Sequence, residues 1–527
     1  MKYFVCFFVC MGLLSACDIL DKKDLGAVTE IWGDENYLEA YINNLYNDLP
    51  GWDYANMDNS TDEGRCVYAG NPANSVLLAG LVTPTNDPLG YWRYDLIRKC
   101  NEFLQNVETV DVNHKNKMIA EVRFLRAVQY FLMVMRYGGI PIIEKPQSIN
   151  DDLLVHRNTV DECFAFLEKE FDEAAKLFEL EGIITTTDGR ACKGSALAMK
   201  TKALLYHASP LFNPSNDKER WKKVMESAES VMALDYELYS DFANIHQHNT
   251  NKEIIFKKEY KRTERTHGRH DYVTPMSLSV GDVGYCYAVQ ELVDAFPMAN
   301  GKAITDPNSG YDPNNPYANR DTRFYATILY NGGFAYGRTQ YTYVGYPIDG
   351  VGADRGTNTG YFCIKAVNQE LTDYNYSYGD ETCFIYIRLA DIYLMYAEAK
   401  NEYLSVPDES IYEVLDKIRE RAKCPPLERN MNKDEMRNFI QKERYIEFAF
   451  EQIRCWDLRR WKLAVERLNG KKMHGIAIQK RDDGSFDYSN IVEVDANPIV
   501  FKECMYLCPI PYSEIIANPN LKQNPGY

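Results

Sequence analysis

The sequence predicts an all-α fold, a helical body that carries long loop-rich insertions and a few short strands. Two observations support this prediction. Apolar residues recur at helical spacing through most of residues 34–239 and 386–461. Between residues 240 and 382 this periodicity stops, and the stretch holds 14 of the 31 glycines and 16 of the 39 tyrosines. Glycine-rich segments of this kind favour loops and short strands over helices.

Apolar spacing and breaker residues define the elements in order. Leu38, Ile42 and Leu45 share one face of the first helix, and Gly138 with Pro141 ends the third. The predicted helices span residues 34–49, 91–107, 115–137, 159–180, 194–209, 217–234, 386–402, 410–422 and 434–461, with short strands near 491–494. We expect one globule in five parts: a signal peptide (1–16), a tether (17–33), an N-terminal helical part (34–239), a loop-rich insertion (240–385), and a C-terminal helical part with its tail (386–527).

The first residues have the character of a secretion signal. Lys2 precedes an apolar run from Tyr3 to Leu14 that is followed by small residues. Leu14-Ser15-Ala16-Cys17 has the form of a bacterial lipobox, which predicts cleavage before Cys17 and lipidation of its thiol. The alternative is a plain cleaved signal with an unmodified cysteine. No later run approaches the ~20 apolar residues that a membrane-spanning helix needs. We therefore expect an exported, lipid-anchored protein.

Charge and cysteine content exclude several classes of protein. The net charge of −17 argues against nucleic acid as a partner and against adhesion to an anionic membrane surface. Of the 14 cysteines, the three within residues 1–17 belong to the signal and the lipid site. The other eleven are an odd number, scattered without a Cys-x-x-Cys pair. This pattern matches neither a disulfide framework nor a zinc site, so we expect buried thiols.

The stretch 434–461 is predicted to form one buried helix of about seven turns. Its apolar stripe contains three charged residues, Glu443, Glu447 and Arg454, and buried charges need partners. Glu443 and Glu447 lie one turn apart, a spacing that can separate two carboxyl pKa values for acid–base chemistry. We favour a structural charge network instead, in which they pair with Arg454, Arg444 or arginines of adjacent helices, because buried charges are normally paired.

Several segments resemble one family in its order along the chain. The stretch Glu443-Arg444-x-x-Glu447-Phe448-Ala449-Phe450-Glu451, continued to Trp461, resembles the signature helix of the SusD/RagB-like outer-membrane lipoproteins of Bacteroidetes. Further similar segments lie at residues 120–127, 291–296, 321–328, 388–399 and 518–527. The resemblance implies tetratricopeptide-like packing of the helices. It also implies capture of a glycan or another nutrient for a TonB-dependent transporter, at the outer face of the outer membrane.

Other chemistry leaves weaker signals in the sequence. There is no Gly-x-Ser-x-Gly, no His-Glu-x-x-His and no phosphate-binding glycine loop. His246 with His248, and His267 with His270, have the spacing of metal ligands, but exposed loop histidines are the interpretation we favour. Asp306-x-Asn308-x-Gly310-x-Asp312 alternates oxygen ligands as a structural calcium site does, and Asx-turns explain it equally well. We expect no cofactor, and this segment is the one candidate for a structural calcium ion.

Aromatic loops carry the best functional signal. Sugar rings present flat C–H faces that stack on Trp and Tyr, while their hydroxyls need polar partners. Two loop regions offer this mixture, the first with Trp52, Tyr54, Asp62, Arg65 and Tyr68, the second with Tyr285, Tyr287, Tyr341, Tyr343 and Tyr346. The family resemblance implies ligand sites in the same two regions. The alternative for any single tyrosine is that it holds a long loop on the body.

These observations predict a non-catalytic surface lipoprotein that captures an oligosaccharide for an outer-membrane transporter. One alternative is a surface glycoside hydrolase or esterase, since the two carboxylates of a glycosidase leave no spacing signature. The other is a scaffold that binds only protein.

Overall fold

A computed structural model describes residues 31–52, 56–247, 250–279, 284–354, 356–371 and 379–527. The chain is mainly helical with few and short strands, which confirms the predicted fold class. Ten helices are labelled here in chain order: α1 (Glu35–Asn47), α2 (Tyr94–Val107), α3 (Lys115–Tyr137), α4 (Val160–Leu180), α5 (Lys193–Ala208), α6 (Lys218–Met232), α7 (Leu389–Tyr403), α8 (Glu409–Arg421), α9 (Lys433–Glu447) and α10 (Arg454–Arg460).

Local signals explain where these helices begin and end. Asp34 caps α1 by accepting the backbone N–H of Asn36 at 2.9 Å. Thr159 and Glu162 form a reciprocal capping box at the start of α4. The α3 helix stops at Gly138, which adopts a φ of +73° that favours glycine. The first six helices therefore lie within three residues of their predicted bounds.

Most of the helical body, from α2 to α7, is built by packing each helix against the next. The α2 helix packs on α3, and α3 on α4, α4 on α5 and α5 on α6. The α6 helix then packs on α7, although more than 150 residues separate them. This serial packing is the tetratricopeptide-like arrangement that the family resemblance implies.

The loop-rich insertion leaves and re-enters the helical body through one pair of strands. Residues Ile254–Lys258 pair antiparallel with Phe384–Arg388, directly before α7. The prediction that this helix begins at Tyr386 was wrong by three residues, because that segment extends the strand. The other two-stranded pairs are Gly64–Arg65 with Tyr287–Ala288, Ile328–Leu329 with Phe362–Cys363, Phe334–Ala335 with Arg338–Thr339, His474–Ile476 with Ile491–Glu493, and Gln479–Lys480 with Phe486–Asp487.

Short helices complete the described elements. They span Asn56–Asn59, Arg269–Val273, Gln290–Ala295, Thr322–Thr327, Ala464–Leu468 and Tyr512–Ala517, with single turns of other helix types at Ala73–Leu77, Phe242–Asn244, Met276–Leu278 and Glu503–Tyr506. Within the ranges the structure describes, no helix is both long and apolar enough to cross a lipid bilayer.

Two large clusters of buried apolar residues form most of the core, and a small third one contains Ile245, Ile254, Cys383 and Ile385. The larger lies among the helices, and the second lies between the insertion and the C-terminal tail. The α9 helix joins them, because Met436 and Ile440 belong to the first cluster and Ile446 to the second. The chain end is fixed as well, since Asn524 Nδ2 donates to the carbonyl oxygens of Tyr137 and Cys508.

The predicted single helix over 434–461 was wrong. The chain leaves the helix after Glu447 and starts α10 at Arg454. Phe450 and Gln452 between them have positive φ values of 60° and 62°, which no continuing helix allows. The carbonyl oxygen of Glu447 accepts from Lys365 Nζ at 2.7 Å and from Arg388 Nη2 at 3.1 Å. Buried cations therefore satisfy the end of α9.

The cysteines of the described chain are all reduced. Ten of them are buried, and Cys504 is half-buried. Burial raises the pKa of several of these thiols, to about 12 for Cys66 and Cys100. They pack as small apolar residues, as expected.

Candidate functional site

The two aromatic loop regions are brought together at one surface. Gly64–Arg65 of the first pairs with Tyr287–Ala288 of the second. Their rings meet next to this pair, where the ring centroids of Tyr68 and Tyr285 lie 6.4 Å apart. A third ring, Tyr272, lies 4.9 Å from Tyr285. We call Tyr68, Tyr272 and Tyr285 the tyrosine platform.

Backbone and amide contacts hold the tyrosine platform in place. The backbone N–H of Tyr285 donates to the carbonyl of Tyr272 at 2.9 Å. The Asn74 amide donates to the carbonyls of Cys66 and Tyr68, at 3.0 Å each. The Tyr68 side chain remains 60% exposed, and the other two rings are half-buried. An accessible ring on a fixed backbone is the arrangement that stacking on a ligand requires.

Tyr272 was missing from the predicted site residues. It lies within the tyrosine-rich stretch of the insertion, on the short helix Arg269–Val273. Its position beside Tyr285 follows from the backbone hydrogen bond between the two residues, 13 positions apart, which no sequence spacing indicates. The abundance of tyrosine in residues 240–382 was the only signal that pointed to it.

Two predicted ligand contacts are buried, and the structure corrects them. Arg65 is 2% exposed, and its guanidinium binds Asp495, at 2.7 Å from Nε, and nearby backbone carbonyls. The Tyr287 ring is fully buried and packs edge-on against Phe362, with ring centroids 4.9 Å apart. Both belong to the strand pair that joins the two loops next to the tyrosine platform.

Trp52 does not extend the tyrosine platform. The indole of Trp52 is half-buried, donates to the carbonyl of Thr382 at 3.3 Å and lies 4.1 Å from the guanidinium carbon of Arg269. One face of this ring is therefore covered by a cation, which makes Trp52 a loop anchor. Tyr54 lies outside the described residues, as does Cys17.

Asp62 forms a bidentate ion pair with Arg454. Its two oxygens accept from Nε at 2.9 Å and from Nη2 at 2.8 Å. Burial opposes ionisation of Asp62, but the charge of Arg454 outweighs it and lowers the pKa of the carboxyl. Asp62 is thus an ionised carboxylate held by one arginine.

A second aromatic cluster lies on the insertion. Tyr341, Tyr343 and Tyr346 pack together with ring centroids 5.3–6.0 Å apart. Phe486 of the tail packs on Tyr343 at 5.5 Å. All four rings are half-buried, so this cluster mainly holds the tail against the insertion.

Glu443 and Glu447 lie in a buried charge network, but Arg454 does not. Arg323 binds Glu443 at 2.6 Å and Glu447 at 2.9 Å. Arg388 binds Glu447 at 2.6 Å, and Arg421 binds its same oxygen. Of the alternative partners predicted for the two glutamates, arginines of adjacent elements are the ones observed. Arg454 is not among them, because the break after α9 directs it toward Asp62. The remaining members of the network are Asp321, Glu253, Glu451 and Lys365.

The charge network does not have the properties of an acid–base pair. Burial alone would raise the pKa of Glu447, yet Arg421, Arg388 and Arg323 hold it well below its usual range. Glu447 is fully buried, so a sugar ring cannot reach it. The contacts therefore support the structural interpretation of both glutamates.

The candidate metal ligands have other contacts. His246 and His270 are buried rather than exposed, which corrects that expectation, and His248 lies outside the described residues. Asp306 and Asp312 each accept a backbone N–H two residues ahead, at 2.7 and 2.9 Å, as in Asx-turns. Across the described segments, no three His, Cys, Asp or Glu side chains group as metal ligands do.

Known protein families match most of this chain. The model of the SusD family matches residues 252–527, and a model described as "Starch-binding associating with outer membrane" matches residues 16–205. The SusD-like protein P2 of Formosa agariphila is 24% identical and aligns over the whole of both chains.

Solved structures show the same architecture. A SusD-like protein of Bacteroides fragilis superposes with a TM-score of 0.80 at 28% identity, covering 97% of this chain and 99% of that one. A SusD-like carbohydrate-binding protein of the same species superposes with a TM-score of 0.79 at 24% identity, covering 93% of this chain and all of that one. Because a family model covers more than half of the sequence, the chain belongs to the SusD family.

Proposed function

We propose that this protein is a non-catalytic lipoprotein of the outer membrane. In this proposal it captures an oligosaccharide on the tyrosine platform and delivers it to a TonB-dependent transporter. The observation that carries the proposal is an accessible group of three tyrosine rings where two long loops meet, in a chain of the SusD family. The name of the solved carbohydrate-binding relative supports the same ligand class.

The chemistry of stacking favours a sugar over a charged or fully apolar ligand. Aromatic faces bind the C–H surfaces of a pyranose ring, and nearby polar groups bind its hydroxyls. Tyr68, Tyr272 and Tyr285 each combine an apolar ring with a hydroxyl. A ligand that spans two rings would therefore gain both stacking and hydrogen bonds.

Calorimetry on a glycan panel tests the ligand site. We expect Tyr68→Ala and Tyr285→Ala to weaken binding of the best glycan about two- to twelve-fold each, since one aromatic contact contributes about 0.5–1.5 kcal/mol. Tyr512→Ala is the matched control, because Tyr512 is also exposed, at 53%, on a separate short helix. Thermal melts establish that each variant is folded. Equal affinities for all variants would overturn the proposed site.

Product analysis separates capture from hydrolysis. Capture breaks no bond, so the glycan should be recovered unchanged after long incubation. A shortened glycan would support the glycoside hydrolase alternative, which Asp62→Asn tests further. Binding of no glycan, together with binding of the transporter, would favour the protein-only scaffold.

The anchor has its own test. Lipidation of Cys17 should keep the protein with the outer membrane, because more than one acyl chain makes membrane binding stable. We expect Cys17→Ala to shift the protein into the soluble fraction, whereas Ser15→Ala, which leaves the thiol in place, should not. Unchanged fractionation of Cys17→Ala would contradict the lipoprotein assignment.

A further inference from the structure

A charged cleft of about 530 Å³ lies apart from the tyrosine platform. Its walls come from α9, from the short helices Gln290–Ala295 and Ala464–Leu468, and from the Asp62–Arg454 ion pair. None of the three platform tyrosines lines it. The volume lies within the roughly 300–1,000 Å³ typical of small-molecule sites.

The two carboxylates of the cleft are already engaged. Asp62 is bound by Arg454 through two hydrogen bonds. Glu291 accepts from Nδ1 of His474 at 2.6 Å and from the backbone N–H of His474 at 3.1 Å. Their hydrogen bonds are therefore made to Arg454 and His474 and not to the other cations of the cleft.

Two further cations face the cleft without a strong counter-charge. Among the described residues, no carboxylate forms an ion pair with Lys442, and Arg467 has only its chain neighbour Glu466, at 3.9 Å. Burial lowers the pKa of the Lys442 ammonium, while Glu443 opposes the shift and Arg320 adds to it. Arg467 contributes to the lowered pKa of Asp62, so its charge acts within the cleft. A half-buried ammonium with no partner is stabilised by an arriving anion.

Amide side chains supply the remaining recognition chemistry. Asn438 and Gln441 line the cleft from the outer side of α9, and Asn438 is exposed. Amides donate and accept hydrogen bonds, as sugar hydroxyls require. An inorganic anion would need only the cations and would leave most of this volume unfilled.

We infer that this cleft is a second ligand site, which binds the carboxylate of a uronic acid residue between Lys442 and Arg467. The preference for an anion rests on the cleft alone, whereas the assignment to a sugar rests on the proposed function. Arginine binds carboxylates in a bidentate geometry, and lysine binds them as a point charge. Gln441 and Asn438 bind the ring hydroxyls.

The test uses trigalacturonate and its fully methyl-esterified form, which has the same rings without the charge. Titrated into the full-length chain, trigalacturonate should bind and the ester should bind about tenfold or more weakly, since a hydrogen bond to a charged group contributes about 1.5–3 kcal/mol. Lys442→Gln and Arg467→Gln should each cause a similar loss of affinity for trigalacturonate. Lys442→Arg, which keeps the positive charge, should retain binding. Lys145→Gln is the matched control, because it removes an exposed charge from the segment after α3.

Other outcomes overturn the inference. Equal binding of acid and ester, or equal affinity of wild type and Lys442→Gln in folded protein, would remove the anion site. Competition by inorganic sulfate at the same concentrations as trigalacturonate would reduce it to an unspecific anion site. Tyr285→Ala separates the two proposals: the variant should leave trigalacturonate binding at the cleft intact, even if no neutral glycan binds the tyrosine platform.

Discussion

The carboxylate of Glu447 lies among the guanidinium groups of Arg323, Arg388 and Arg421 inside the protein. Removing one partner of a buried ion pair is costly, because the other charge is left without compensation. At the scale of single residues, this network is where substitutions should have their largest effects.

Glu447→Ala should lower the free energy of unfolding by about 3–5 kcal/mol, since it leaves three buried arginines short of a partner. Urea denaturation followed by circular dichroism measures this change. Glu420→Ala on α8 is the control, because Glu420 is exposed, and it should change stability by no more than about 0.5 kcal/mol. Similar values for both variants would contradict the structural role of the network.

The same contacts predict a pH dependence. The pKa of Glu447 is held well below its usual value near 4.5 in the folded state, so the unfolded chain binds more protons as the pH falls below that value. Stability from this residue is present above pH ~4.5 and is lost as the pH falls toward the folded pKa. Between pH 5 and 3, Glu447→Gln should therefore lose stability less steeply than wild type, by up to about 1.4 kcal/mol per pH unit. Identical slopes would show that Glu447 titrates normally.

The sequence identifies the buried charges but not their partners. An apolar stripe that contains Glu443 and Glu447 requires counter-charges, and this follows from the chain alone. Arg323, Arg388 and Arg421 lie 22 or more positions away from Glu443, so only the folded chain shows that they converge. For the same reason Asp62 was identified as a polar site residue, while its partner Arg454, 392 positions away, was assigned elsewhere.

At the scale of elements, the break after α9 shows the limit of periodicity. The apolar spacing continues through Phe450 and Ile453, and no glycine or proline marks a stop. Two residues other than glycine adopt positive φ there, and buried cations bind the carbonyl of Glu447, which would accept a backbone N–H in a continued helix. Where local signals were strong, as at Asp34, Gly138 and Thr159, the predicted helix ends were accurate.

The end of α8 allows a direct test of left-handed backbone. Lys423 has a φ of 58°, is exposed, and follows the helix in a Schellman arrangement, with Cys424 N–H donating to the Arg419 carbonyl at 2.8 Å. Lys423→Gly should raise the free energy of unfolding by about 0.5–1 kcal/mol, because glycine adopts this conformation without steric cost. Glu413→Gly, in the middle of the same helix, should lower it by about 1 kcal/mol. Destabilisation by both variants would argue against the positive φ at Lys423.

At the scale of the whole molecule, the insertion is closed at its base and shares a core with the tail. The Ile254–Lys258 and Phe384–Arg388 strands join its ends, and α9 contributes to both apolar clusters. The order of the helices and the extent of the insertion could be predicted from composition and spacing. For the tyrosine platform, the sequence could predict only the two regions that form it. Which tyrosine rings belong to it depends on which rings remain exposed once Gly64–Arg65 has paired with Tyr287–Ala288.

This sharing of α9 predicts that the chain unfolds as one unit. Differential scanning calorimetry should show a single transition whose calorimetric enthalpy equals the van't Hoff enthalpy. Ile446→Asn, which places a polar residue in the shared helix, should shift the whole transition to lower temperature. Two separate transitions, with only one of them shifted, would show that the insertion and the helical body unfold independently.

The buried thiols offer a way to follow the opening of this protein in a mixture. Because ten described thiols are buried and Cys504 is half-buried, a maleimide reagent should modify the intact molecule slowly and at Cys504 first. A molecule that opens exposes the remaining thiols at once. The mass distribution after a short pulse of reagent would therefore count opened and intact molecules separately, and its dependence on pulse length would give the opening rate without purification or an attached probe.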